Sequence, residues 1–147
     1  MKGAMKTKIR LFMWMIVAGL VAASFAPGGA GAEDVVFLGK FAGGDYYYAR
    51  DSIHRLKDGR VRVWVNLVFS KEAIESMGGT FPEIKDRMYR DVILYEIDCG
   101  NLSYKIIQYA IYDKSGNVLK RATSDNPAAY DYGPGTVYDS LSRAVCR

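Results

Sequence analysis

Tyr95-Glu96-Ile97-Asp98-Cys99 is the stretch from which the build of the chain can be read. It ends an alternating run that starts at Val92. Ile93, Tyr95, Ile97 and Cys99 face one way, and Val92, Leu94, Glu96 and Asp98 the other, the period of a strand with one buried side. Cys99 and Cys146 are the only cysteines, 47 positions apart. In an oxidising compartment, two lone cysteines in a small domain form one disulfide. Cys146 closes a short amphipathic segment, Thr136 to Cys146. There Val137, Leu141, Ala144 and Val145 recur at helical spacing, with Thr136 placed as N-cap and Asp139 in the first turn. About three turns of helix are marginal alone. This helix needs a sheet behind it and the bond at its end, which adds about 4 kcal/mol in the chain-entropy picture.

The N-terminus supplies the compartment. Lys2, Lys6, Lys8 and Arg10 form a basic region, Leu11 to Phe25 is an uncharged apolar run, and Ala30-Gly31-Ala32 fits the small-x-small cleavage rule. Residues 1–32 are therefore expected to be a signal peptide, with 33–147 the mature domain. The apolar run is shorter than the roughly 20 residues of a spanning helix, so no stable membrane span is expected after cleavage. Four of the 20 Lys+Arg and none of the 16 Asp+Glu lie in that segment, so residues 33–147 carry 16 of each. The basic pI belongs to the export signal, and no case remains for nucleic acid or anionic membrane as partner.

Outward from the central stretch the chain reads as one domain of strands. Val35 to Phe41 is a first strand, closed by Gly43-Gly44-Asp45, and Tyr46-Tyr47-Tyr48-Ala49-Arg50 resumes extended structure. After a turn at Asp58-Gly59, Val61, Val63, Val65, Leu67 and Phe69 alternate with Arg62, Trp64, Asn66 and Val68. Ser70 caps a short helix ended by Gly78-Gly79, and Phe81 to Tyr89 adds a turn or two. Ser103 to Tyr112 is a strand with Lys105, Ile107, Tyr109 and Ile111 on one side. Asp113 to Asn117 is a hairpin loop, Val118 to Ala122 a short strand, and Thr123 to Gly135 a surface loop. The expected fold is α+β: about six antiparallel strands, with a C-terminal helix packed on one face and tied to it by Cys99–Cys146.

These segments resemble the surface-adhesin protein E family of secreted bacterial proteins. The resemblance rests on Asp51-Ser52-Ile53, Val61-Arg62-Val63-Trp64, Glu96-Ile97-Asp98-Cys99, Gly133-Pro134-Gly135-Thr136 and Val145-Cys146, taken in order. The aromatic before the last helix, often Trp in that family, is here Tyr130 or Tyr132. The resemblance implies a six-stranded antiparallel sheet with a C-terminal helix held by the two cysteines. It also implies the role of the adhesin for which the family is named, which binds host matrix and serum proteins.

The chemistry-bearing residues point away from catalysis. His54 is the only histidine and has no second ligand or triad partner in the sequence, so it reads as solvated. Glu96 and Asp98, spaced i, i+2 on one strand face, read as a wet or salt-bridged row. The cysteines lack a Cys-x-x-Cys arrangement, and Gly43-Gly44 and Gly78-Gly79 lack the residues of a phosphate loop. The sequence points to no catalytic residue, cofactor or metal. Three consecutive tyrosines force one to face away from the core, and Trp64 lies opposite its strand's valine row. Tyr47 and Trp64 are the candidate binding residues, because such aromatics anchor interfaces. The expected function is a non-enzymatic, secreted or surface-exposed protein-binding domain, periplasmic, cell-surface or extracellular, for host or envelope proteins. The alternative is a periplasmic envelope enzyme or a structural accessory subunit that pairs an exposed strand edge.

Export is expected to remove residues 1–32 and leave Glu33 at the N-terminus. Intact-mass measurement of the exported protein tests this, and a mass that retains the leader contradicts it.

Overall fold

Strand pairing follows the chain order expected of a meander. A computed structural model describes residues 34–147; the expected signal peptide, residues 1–32, lies outside the described residues. The strands are β1 (Val35–Phe41), β2 (Gly44–Ala49), β3 (His54–Arg55), β4 (Arg60–Phe69), β5 (Arg90–Asp98), β6 (Ser103–Tyr112), β7 (Val118–Thr123) and β8 (Tyr130–Asp131). They form one antiparallel sheet of order β1-β2-β4-β5-β6-β7. The two-residue strands β3 and β8 pair with β4 and β6 respectively. Six principal strands thus carry the fold, and β8 lies inside the segment read as a surface loop.

Gly44 opens β2 at φ +133, where a Cβ would stand 2.0 Å from the Val68 carbonyl oxygen. Only glycine fits that approach. On the edge of β4 shared by β2 and β3, neither strand pairs with Trp64, and Ser52 fills the gap. Its Oγ accepts the Trp64 N–H at 2.9 Å and donates to the Ala49 carbonyl at 2.7 Å. That gives the Asp51-Ser52-Ile53 motif a structural reason, since an unpaired backbone N–H is costly to bury.

One face of the sheet is covered. Val61, Val63, Val65 and Leu67 of β4, Ile93, Tyr95 and Ile97 of β5, and Tyr46 and Tyr48 of β2 form a buried cluster with Leu141 and Val145 of α2 (Val137–Val145). Val63 and Val65 are 0% exposed. Tyr138 from α2 stacks on Tyr104 with centroids 3.6 Å apart and meets Tyr95 edge-on at 5.6 Å. The helix start is capped as expected: Thr136 Oγ1 accepts the Asp139 N–H, and Asp139 Oδ2 accepts the Gly135 N–H. Its end is held by the Cys99–Cys146 disulfide, Cα atoms 5.8 Å apart.

The other end of the same face is covered by α1 (Lys71–Met77), N-capped by Ser70 through the Ala73 N–H, and by a 3-10 turn at Lys85–Arg87. Ile84 and Met88 bury there against Ile111, with Phe69, Ile74 and Phe81 around them.

One expected register is wrong. Leu94 pairs with Gln108 but Tyr95 pairs with Ile106, leaving Ile107 as an unpaired bulge. The extra residue reverses the alternation. Tyr104 and Ile106 therefore share the covered face with Tyr109 and Ile111, and Lys105 points to the opposite face, across from Glu96.

Asp91 is a polar intruder in the covered face. It pairs with Leu67 and Ile111 on the adjacent strands, is 7% exposed, and its Oδ1 has no hydrogen-bond partner. Burial pushes its carboxyl up to about 7, and backbone N–H groups of Ala110 and Val92 offset only part of this. Tyr46 and Tyr95 are pushed up as well, each by burial first.

Cys146→Ser is expected to cost about 2–5 kcal/mol, read as a lower urea midpoint, with reduction of the unmodified protein lowering it similarly. A midpoint unmoved by both contradicts the staple. The Asp91 prediction concerns pH. An unfolded aspartate titrates near 3.9, so between about pH 4 and 7 the native state holds one more proton than the unfolded one, and stability falls as pH rises through that window. Asp91→Asn removes this term. Relative to the variant, the unmodified protein should lose about 2–4 kcal/mol between pH 4 and pH 8. Parallel stability curves for the two proteins contradict it.

Candidate binding face

Neither helix reaches the second face of the sheet. Along β4 burial alternates, with Val61, Val63, Val65 and Leu67 buried and Arg60, Arg62, Trp64, Asn66 and Val68 half-buried. Half-burial without an overlying element marks an open face, made of the strand positions of opposite parity. Register arranges it in rows across the sheet. Trp64 lies beside Leu94 and then Gln108; Phe37 beside Tyr47, Asn66, Val92 and Ala110; Val68 beside Arg90 and Tyr112.

Tyr47 and Trp64 thus stand on the same face in adjacent rows, both half-buried. Tyr47 is the outward member of its triplet, as the alternation requires, while Tyr46 and Tyr48 are buried. Phe37, not singled out from the sequence, joins them. Its ring lies 5.2 Å from Tyr47 and the residue is 52% exposed. Its parity on β1 was legible, but its neighbour was not, because the contact depends on how β1 registers against β2.

At one end the apolar band meets charge. Glu96 is 3% exposed, and its carboxylate takes Arg62 Nε at 2.9 Å and the Arg60 guanidinium. Arg60 also holds Asp58 in the preceding turn, and that bond keeps the Asp58 carboxyl below the usual range. Sequence reasoning placed Glu96 and Asp98 in a wet or salt-bridged row. Glu96 is salt-bridged and buried, because two arginines two residues apart on β4 close over it. Asp98 is instead a turn acid. Its oxygens accept from the Asn101 side chain and from the Asn101 and Gly100 N–H groups, which hold its pKa low. A depression of about 340 Å³ lies here, lined by Arg60, Glu96, Asp98, Ser103 and Lys105.

His54 is exposed on β3, paired in register with Arg62. Among the described residues no group of three or more His, Cys, Asp or Glu side chains converges as metal ligands, and no helix is long and apolar enough to cross a membrane. The open face is an arrangement suited to contact: large aromatic area, a neutralised buried carboxylate and flanking cations.

The family model described as surface-adhesin protein E matches residues 36–147, and the chain belongs to that family. Membership makes it an exported, surface-associated bacterial protein with an adhesin role. Two solved structures share the fold. Haemophilus influenzae protein E is 17% identical, with 76% of this chain and 83% of that chain covered at a TM-score of 0.51. Protein E from non-typeable Haemophilus influenzae is 16% identical, with 82% and 79% covered, also at 0.51. No curated protein matches the chain in sequence.

Proposed function

We propose that this surface-adhesin protein E family member acts as a non-enzymatic protein-binding domain whose contact surface is the open face of the sheet, with Trp64 and Tyr47 as anchors and Phe37 beside them. The observation that carries this is the unequal cover of the two faces. Both helices pack on one, while the other displays a tryptophan, a tyrosine and a phenylalanine in adjacent rows. A protein that stands alone has reason to place such side chains under a helix, and a contiguous apolar patch left in water marks an interaction site. Trp and Tyr are the residue types that dominate binding energy at interfaces. The leader that directs export is then removed, and the mature domain, residues 33–147, meets a protein partner outside the cytoplasm.

Trp64→Ala and Tyr47→Ala test the reading by solid-phase binding to immobilised matrix and serum proteins, alongside urea midpoints. Each truncation is expected to cost roughly 2 kcal/mol or more of binding, about thirtyfold, with folding largely retained. Variants that lose stability yet bind normally once folded identify these residues as packing and remove the open face as the contact surface.

A further inference from the structure

The charges of the open face are unevenly satisfied. Each acid that the six principal strands place on this face is engaged: Glu96 by Arg60 and Arg62, Asp45 by Lys40, and Asp98 by the amides of its own turn. Asp131 on β8, next to Ser103, sits at the corner beyond the band. Among the described residues, Arg90, Lys105 and Arg121 have no ion-pair partner. The same registers place all three on this face. Lys105 lies across from Glu96, whose charge two arginines already balance. Arg121 lies across from Ala110, and Arg90 stands between Val68 and Tyr112, with its guanidinium 4.8 Å from the Tyr112 ring. The free cations therefore border the band of Trp64, Leu94, Val92 and Ala110, and one of them lines the depression beside Arg60.

We propose that the open face recognises an acidic polypeptide segment in which Asp or Glu alternates with apolar side chains, laid along β5 to β7 with one carboxylate seated beside Lys105. This deepens, and rests on, the assignment of the open face as the contact surface. Charge complementarity favours an acidic occupant, because a basic one would meet three unpaired cations as like charges, with no free acid on the six principal strands of this face to offset them. The apolar band favours a polypeptide over a sulfated polysaccharide. A polyanionic sugar chain pairs with the cations but leaves Trp64, Leu94 and Val92 without apolar partners. A carboxylate flanked by apolar side chains uses both halves of the surface.

The test pans a random dodecapeptide library, displayed on phage, against the exported, disulfide-bonded protein and retains clones that fail to bind Trp64→Ala. The retained clones should be enriched in Asp or Glu together with Phe, Trp, Leu or Ile. Lys105→Glu and Arg121→Glu should each weaken them by about fivefold to tenfold, and added salt should weaken them further. Retained clones that are neutral or rich in Lys and Arg, or that ignore both charge reversals, overturn the acidic-segment inference and leave the open-face reading standing. Failure to recover any Trp64-dependent clone overturns both. Retention on heparin that is lost with Lys105→Glu and Arg121→Glu but unchanged in Trp64→Ala assigns the cations to sulfated polysaccharide and overturns the inference. Urea midpoints control for folding, and Lys105→Gln and Arg121→Gln replace the reversals if a midpoint falls.

Discussion

The packing of Leu141 and Val145 onto Val61, Val63 and Val65 is the contact on which the rest of the molecule depends. A single sheet has two faces, and the described residues supply one nine-residue and one seven-residue helix with which to cover them. Placing both on the same side gives that side a real core. α2 is too short to persist without tertiary support, so the valine row, the Tyr138–Tyr104 stack and the Cys99–Cys146 bond act together to hold it. The consequence is a second face that neither helix covers, whose composition is less constrained by core packing.

Two buried carboxylates show how the faces differ in physical character. Glu96, on the open face, is nearly inaccessible yet lies under two guanidinium groups that remain partly in water. The desolvation cost of its charge is met by paired, hydrogen-bonded opposite charge. Asp91, on the covered face, has no ion-pair partner among the described residues, one oxygen without a hydrogen-bond partner, and tyrosines around it. There the lower-cost solution is to keep the proton, and the carboxyl titrates near 7 instead of in the acid range. One acid helps to organise the proposed contact surface. The other gives the core a pH-dependent weakness.

Membership of an adhesin family fixes the class of activity but not the residues that perform it, since binding surfaces are grafted onto folds. At 16–17% identity to protein E the shared architecture speaks for the backbone and leaves the surface side chains to be argued from this chain alone. What distinguishes this surface is the combination of Phe37, Tyr47 and Trp64 with cations that lack partners on their own face. In the proposed contact, aromatic area would supply affinity, and unpaired charge at its border selectivity and steering.

Much of the architecture was legible in local sequence. The alternation of β4 assigned its two faces, Ser70 and Thr136 announced both helix starts, Asp58-Gly59 and Asp113 to Asn117 marked turns, and the two cysteines paired as expected. These are short-range properties: side-chain parity, cap chemistry and turn conformations are set within a few residues, and a pair with no competitor has one solution. The candidate site was legible only in part. Tyr47 and Trp64 were found because parity forced them out of the core. Phe37, the burial of Glu96 and the outward turn of Lys105 were decided by tertiary structure. The bulge at Ile107 inserts one residue into β6 and exchanges the faces of everything before it, and no local pattern marks where β5 will skip a partner. Burial of Glu96 likewise requires Arg60 and Arg62, 36 and 34 residues away, to arrive on the neighbouring strand in register. Period-two alternation is a property of one strand, whereas register and cover belong to pairs of strands distant in sequence, and only the assembled sheet sets them.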